Sequence, residues 1–145
     1  MSDVARLVAD LYEVAGALRT AGETIAAAHG QTQARWQVLS VVSLPPMTVA
    51  SAARRLGVTR QNVQKIANDL VRDGLAEWRP NPDHRTSHLL ALTPAGEQTL
   101  AKIASEAAAF HHRIAASLTD REVKAARAFA RKLLDGLHEF EHDSS

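Results

Sequence analysis

The sequence predicts a mainly α-helical protein of six helices with one small two-stranded β-hairpin. Three observations support this fold class. Apolar residues recur at steps of three and four over most of the 145 residues. Threonine caps or glycine stops stand at the ends of these periodic runs. The pattern is interrupted once, where two short strand-like runs flank a proline-rich turn.

The first two helices are predicted from their apolar stripes and their ends. The first helix begins near Val4 and continues to a stop at Gly30. Thr32 can cap a second helix, which the Pro45-Pro46 pair ends because the residue before a proline avoids helical geometry. The apolar stripe of the first helix consists of Val4, Leu7, Val8, Leu11, Val14, Ala15 and Leu18.

The next two helices are short and almost touch in sequence. Thr48 is placed to cap a helix over Val49–Leu56, and Gly57 stands where a left-handed terminal residue is favoured. Thr59 then caps a helix that ends near Arg72.

Strands are expected over Leu75–Arg79 and His88–Leu92, because turn-forming residues 80–83 separate these two runs. Thr93 followed by proline starts the fifth helix. Thr119 and Glu122 form a capping box for the sixth helix, which frays at the last few residues.

Composition limits the classes of protein that this chain can belong to. Apolar residues make up 46% of it and charged residues 23%, as in globular domains. The absence of cysteine excludes disulfides and thiolate metal sites. Charged residues break up the first twenty positions, and no apolar run approaches the ~20 residues of a membrane span. We therefore expect one cytoplasmic domain that needs no cofactor and contacts no membrane.

Charge is distributed unevenly, although the net charge is only +1. No Asp or Glu occurs between Thr24 and Asn68, whereas four arginines and one lysine do. A locally positive face attracts duplex phosphates whatever the total charge is. The distribution therefore favours a nucleic-acid partner.

The third and fourth predicted helices have the pattern of a helix-turn-helix. Ala53 is small where two steeply crossed helices would touch, and apolar residues close the wedge between them. These apolar residues are Leu56, Val58, Val63 and Ile66. The opposite face of the fourth helix carries amides and cations, which suit base edges and phosphates. The predicted DNA contacts on these helices are Thr48, Thr59, Arg60, Gln61, Asn62, Gln64 and Lys65.

The predicted hairpin adds a second group of DNA-contacting residues. Arg79, His84 and Arg85 lie on or beside its turn, where an arginine could enter a narrow minor groove. Asp83 is expected either to orient a neighbouring arginine or to form local turn hydrogen bonds.

These segments together resemble MarR-type regulators. The resemblance is carried by residues 48–63, by Asp73-Gly74-Leu75, by Asp83-His84-Arg85, and by residues 92–96. It implies a winged helix-turn-helix over about 32–93, and dimerisation helices over about 1–30 and 94–143. It also implies a homodimer on a pseudo-palindromic DNA operator, usually a repressor released by a small ligand. Arg85 would then be the minor-groove arginine and Asp83 its orienting partner, whereas His84 departs from the arginine that many relatives carry.

An effector pocket is expected where the dimer helices meet the DNA-binding unit, near Tyr12, His29, Arg35 and Trp36. A zinc-responsive regulator of the same fold is an alternative, because imidazoles on the last two helices could supply ligands. The histidines concerned are His111, His112, His138 and His142. An enzyme is disfavoured because no nucleophile or base has a partner in a recognisable motif. A helical interaction module that binds no DNA is a further alternative.

Overall fold

The computed structural model describes residues 1–144 and contains the predicted six helices and one antiparallel two-stranded sheet. The elements in order are α1 (Asp3–Ala27), α2 (Gln33–Val42), α3 (Val49–Leu56), α4 (Arg60–Arg72), β1 (Ala76–Arg79), β2 (Leu89–Leu92), α5 (Pro94–Ala115) and α6 (Asp120–Asp143). The backbone forms two compact units, Met1–Ala107 and the residues from Ala108 onward.

Threonines begin five of the helices, as the sequence predicts. In each case the threonine hydroxyl accepts a hydrogen bond from the backbone N–H three residues later, at Arg35, Ser51, Asn62, Gly96 and Glu122. Such caps satisfy amide donors that the helix cannot pair, and each contributes about 1 kcal/mol. The starts of these helices are therefore set by local chemistry.

The turn between α3 and α4 depends on one glycine. Gly57 has a φ of 70°, a left-handed conformation that side chains disfavour. Ala53 is 2% exposed at the helix crossing, which confirms the prediction that it is small because the helices touch there. The expectation for Val58 was wrong, since it is 40% exposed. It follows the left-handed glycine and lies on the outer side of the turn.

The strands pair antiparallel, with Ala76 opposite Leu92 and Arg79 opposite Leu89. Each strand is one residue shorter than predicted, because Leu75 and His88 lie outside the ladder. The Leu75 N–H donates to the carbonyl of Leu70, and the Leu75 carbonyl accepts from the Thr93 N–H. Both backbone groups of Leu75 are thus used to join elements, which explains why the ladder starts one residue later.

The core of the first unit lies between α2, α3, α4 and the hairpin. Its largest fully buried side chains include Leu39 from α2, Leu70 from α4 and Leu90 from β2. Met47, just before α3, bridges to Leu90 through two backbone hydrogen bonds. The hairpin is therefore held to the helices by both packing and hydrogen bonds.

The start of α5 docks closely onto the turn that follows α4. The Thr93 hydroxyl donates to the carbonyl oxygen of Gly74 at 2.6 Å and accepts from the Gly96 N–H at 3.2 Å. A Cβ atom built on Gly96 would lie 1.9 Å from the Leu75 carbonyl oxygen. Only glycine fits at this position.

Two helices, α1 with its predicted stripe and α6, expose apolar side chains. On α1, Val4 is 70% exposed and Val14 is 53% exposed. On α6 no residue is buried, and Leu137 is 50% exposed. Among residues 1–144, no helix combines the length and apolarity that crossing a membrane requires.

Candidate nucleic-acid interface

The fourth helix presents one polar face and one buried face. Val63, Ala67 and Leu70 are fully buried, as the helical period predicts. The predicted contact residues Arg60, Gln61, Asn62, Gln64 and Lys65 are all exposed on the other side. The polar side chains are therefore free to meet a ligand as large as a duplex.

The exposed face of α3 and α4 is cationic. Arg54, Arg55, Arg60 and Lys65 are exposed, and within the described residues none of them pairs with a carboxylate. The first acid along α4 is Asp69, which binds Arg72. Because the charges are not neutralised internally, their field extends into solvent.

The two threonines predicted as contacts act first as caps. The Thr48 hydroxyl accepts from the Ser51 N–H and donates to the Ser51 hydroxyl, both at 3.1 Å. The Thr59 hydroxyl accepts from the Asn62 N–H at 3.1 Å. Thr48 therefore has no hydroxyl hydrogen left for an external acceptor, whereas Thr59 keeps one.

The hairpin turn projects Asp83, His84 and Arg85, all of them exposed. The Asp83 N–H donates to the Asn81 side-chain oxygen at 3.1 Å, which is a local turn hydrogen bond. In residues 1–144 the expected pairing of Asp83 with Arg85 is not formed, so the Arg85 guanidinium is unpaired.

Sequence reasoning missed the partner of Arg79. Glu77 accepts from Arg79 Nε at 3.1 Å and from Arg79 Nη2 at 2.9 Å. The two residues are two apart on one strand, so their side chains lie on the same face of the sheet. That spacing could have identified the pair, which neutralises a cation that the sequence assigned to DNA.

A groove of about 630 Å³ lies between α4, the start of α3 and the hairpin. The predicted DNA contacts that line it are Thr48, Arg60, Gln61 and Gln64. Sequence reasoning missed several other lining residues, among them Asn68, Trp78, Thr86, Ser87 and His88. Trp78 alternates with Glu77 along β1, so the strand period alone could have placed it on the opposite face.

The predicted effector residues divide into two groups. Tyr12 is 76% exposed and lies ten residues before Gly22, about 15 Å along α1. Trp36 packs on Gly22, with its Cζ3 atom 3.6 Å from where a Cβ would be. The structure thus separates Tyr12 from the junction of α1 and α2.

That junction holds buried polar atoms without hydrogen-bond partners, namely His29 Nε2, Gln31 Oε1 and Arg35 Nε. His29 Nε2 is 3.5 Å from a Glu106 carboxylate oxygen, within ion-pair range but without hydrogen-bond geometry. Arg35 Nη2 is 2.7 Å from Asp73 Oδ2 at the end of α4. The junction therefore contacts α5 through His29 and the end of α4 through Arg35.

The histidines named for zinc are all exposed. His111 and His112 lie on α5, and His138 and His142 lie on α6. Over residues 1–144, no three His, Asp or Glu side chains form a cluster that could hold a metal ion. The His111 ring is tilted against Phe110, with centroids 5.9 Å apart.

Comparison with known proteins identifies the family. A model described as the MarR family matches residues 29–85, a stretch from the α1–α2 turn to the hairpin arginine. The uncharacterized protein Rv2011c of Mycobacterium tuberculosis is 54% identical over 138 residues, covering 94% of this chain and 96% of that protein. The chain belongs to the MarR family.

Three further proteins resemble the chain over most of its length. Transcriptional activatory protein BadR of Rhodopseudomonas palustris is 28% identical, over 91% of this chain and 78% of that one. A MarR/EmrR family transcriptional regulator from Acinetobacter has a TM-score of 0.84 at 16% identity, covering 96% and 99% of the two chains. CouR from Rhodococcus jostii, solved with p-coumaroyl-CoA bound, has a TM-score of 0.79 at 19% identity, covering 91% and 92%. The chain therefore shares its fold with both of these solved structures.

Proposed function

We propose that this protein is a sequence-specific, double-stranded-DNA-binding transcription regulator that acts in the cytoplasm as a homodimer. The observation that carries the proposal is the face of α3 and α4, where exposed amides stand among cations that pair with no carboxylate of residues 1–144. Amides hydrogen-bond base edges, while cations bind phosphates and guanine. A duplex is the partner that needs both.

The hairpin supplies the second contact in this proposal. Arg85 is exposed at the tip and has no ion-pair partner within residues 1–144, and a thin projection can reach the minor groove beside the major groove that α4 would enter. An arginine is suited to this position because a narrow minor groove concentrates negative potential. Arg79, held by Glu77, contributes less charge.

The dimer in this proposal covers the apolar stripe of α1 and that of α6. Side chains such as Val4 and Val14 on α1, and Leu137 on α6, are half or more exposed in the single chain, and an exposed apolar stripe along a helix marks an interface. A two-fold partner would cover the same surface on both copies. It would also present two α4 helices to successive major grooves, about 34 Å apart, and so favour a pseudo-palindromic operator.

Regulation by a small ligand is the finer part of the proposal. The unpartnered polar atoms of His29, Gln31 and Arg35 lie at the α1–α2 junction, where a bound molecule could supply their hydrogen bonds. CouR was solved with an acyl-CoA, which supports a small-molecule effector for this fold. We propose repression relieved by such a ligand, although BadR is named as an activator.

Fluorescence anisotropy with labelled duplexes tests the DNA-binding function. A duplex obtained by selection from random sequences should bind, and its affinity should fall steeply with salt because bound cations displace counterions. Arg85→Ala should weaken binding to all duplexes by roughly tenfold, the loss of one charge-assisted hydrogen bond. Gln98→Ala, an exposed glutamine of α5, is the matched control and should bind like the parent. A parent protein that selects no sequence and shows no salt dependence would refute the proposal.

A further inference from the structure

The outward face of α4 contains a hydrogen bond between two of its own amide side chains. Gln64 Nε2 donates to Asn68 Oδ1 at 3.0 Å, and the two exposed residues are one helical turn apart. Both line the groove that separates α4 from the hairpin. The bond therefore lies on the surface that the proposed function assigns to DNA.

This bond limits what the Gln64 amide can recognise. A glutamine side chain has two N–H donors and one carbonyl acceptor. Because one N–H is used by Asn68, the carbonyl and one N–H remain for an external partner. Adenine presents one donor and one acceptor in the major groove, at N6 and N7, which match this remaining pair.

Guanine does not match the same pair. Its N7 and O6 atoms are both acceptors, so a glutamine would need both N–H groups to bind them. Gln64 could offer both only by breaking its bond to Asn68. If the bond were kept, the Gln64 carbonyl would face the guanine O6, and two acceptors repel.

Resting on the proposed DNA-binding function, we infer that Asn68 fixes the Gln64 amide so that Gln64 reads adenine and rejects guanine at one base pair of each half-site. Asn68 is a positioning residue in this arrangement, and Gln64 makes the contact. Holding the side chain before DNA arrives also reduces the conformational entropy lost on binding.

The neighbouring amides lack this constraint. In the described part of the chain, the side chains of Gln61 and Asn62 have no hydrogen-bond partner, so each amide can turn to present either its oxygen or its nitrogen. They can adapt to either purine, whereas Gln64 cannot. The strictest purine preference in the half-site should therefore depend on Gln64.

Selection from random duplexes with the full-length protein first gives the half-site. Anisotropy is then measured with each A·T pair of that site replaced in turn by G·C. One position should show an adenine preference of about 5- to 150-fold, the discrimination typical of one paired contact. Gln64→Ala should bring the ratio at that position alone close to one.

Variants of Asn68 separate positioning from general binding. Asn68→Ala removes the acceptor and should lower the adenine-to-guanine ratio at the same position, but not the base preferences at the other positions of the half-site. Asn68→Asp keeps an acceptor oxygen and should preserve the ratio, although its negative charge weakens binding to every duplex. Gln98→Ala again serves as the matched control.

Several results would overturn the inference. If Asn68→Ala kept the full ratio at every position, or weakened all sequences equally, Asn68 would not position Gln64, although the regulator function would stand. If Gln64→Ala left all base preferences intact, Gln64 would not read a base, and the regulator function would again stand. If the parent protein bound no duplex, the proposed function and this inference would both fail. Circular dichroism spectra that match the parent's would confirm that each variant is folded.

Discussion

Substituting Gly96 tests how tightly α5 is docked onto the end of α4. A Cβ at this residue would lie 1.9 Å from the Leu75 carbonyl oxygen, whereas carbon and oxygen normally approach no closer than about 3.3 Å. Gly96→Ala therefore requires a shift of roughly 1.4 Å. Such a shift would break the hydrogen bonds from the Thr93 hydroxyl to Gly74 and from the Thr93 N–H to Leu75, which are 2.6 Å and 3.1 Å long.

The expected cost follows from these contacts. Overpacking costs about 1–3 kcal/mol, and each lost hydrogen bond about 1 kcal/mol. The better helix propensity of alanine offsets about 1 kcal/mol. We expect Gly96→Ala to lower the free energy of unfolding by on the order of 3 kcal/mol, close to the upper end of single substitutions.

Urea unfolding followed by circular dichroism, at one fixed protein concentration, measures this cost. Gly136→Ala is the matched control, since Gly136 also lies inside a helix but a Cβ there would meet nothing within 4 Å. The control should be neutral or stabilising by up to about 1 kcal/mol. If Gly96→Ala unfolded at the same urea concentration as the parent, the close docking of α5 on Leu75 would be refuted.

Three further predictions follow from single contacts. Glu77→Gln should free the Arg79 guanidinium and steepen the salt dependence of duplex binding, measured by anisotropy; an unchanged slope would show that Arg79 does not face DNA. The Thr119 N–H and hydroxyl donate to Glu122 and lower the pKa of its carboxyl below the usual 4.5, so this carboxylate stabilises the fold above that pH and loses its effect as the pH falls further. The urea midpoints of the parent and Glu122→Gln should therefore differ more at pH 6 than at pH 3, and a difference independent of pH would contradict the capping box. Leu137→Glu should give a monomer in sedimentation, whereas Gln98→Ala should not, and a dimer in both would exclude the α6 stripe as the interface.

The sequence could predict features that depend on nearby residues. Thr59 caps α4, and Gly57 ends α3 with a positive φ, because each acts within a few residues of itself. The buried face of α4 was also predictable, since the helical period alone places Val63 and Leu70 on one side.

Features that depend on three-dimensional proximity could not be predicted in this way. The Arg35–Asp73 ion pair joins residues 38 apart in sequence, and no local pattern marks it. Asp83 was open to two interpretations, and the free protein uses its backbone N–H in a turn bond to Asn81. The Gln64–Asn68 bond was within reach, because residues four apart on a helix are neighbours, but the choice between that bond and solvent depends on side-chain geometry.

The turn at Asp73 and Gly74 separates α4 from the hairpin, the two elements that we propose to contact DNA. Arg35 holds this turn from α2 and Thr93 holds it from α5, while α4 enters it and β1 leaves it. The helix and the hairpin should therefore move as one rigid piece, so the distance between the base pairs each contacts within a half-site would be constant. Only the distance between the two half-sites could then vary. Changing the number of base pairs between the half-sites should therefore weaken binding less than inserting a base pair inside either half-site.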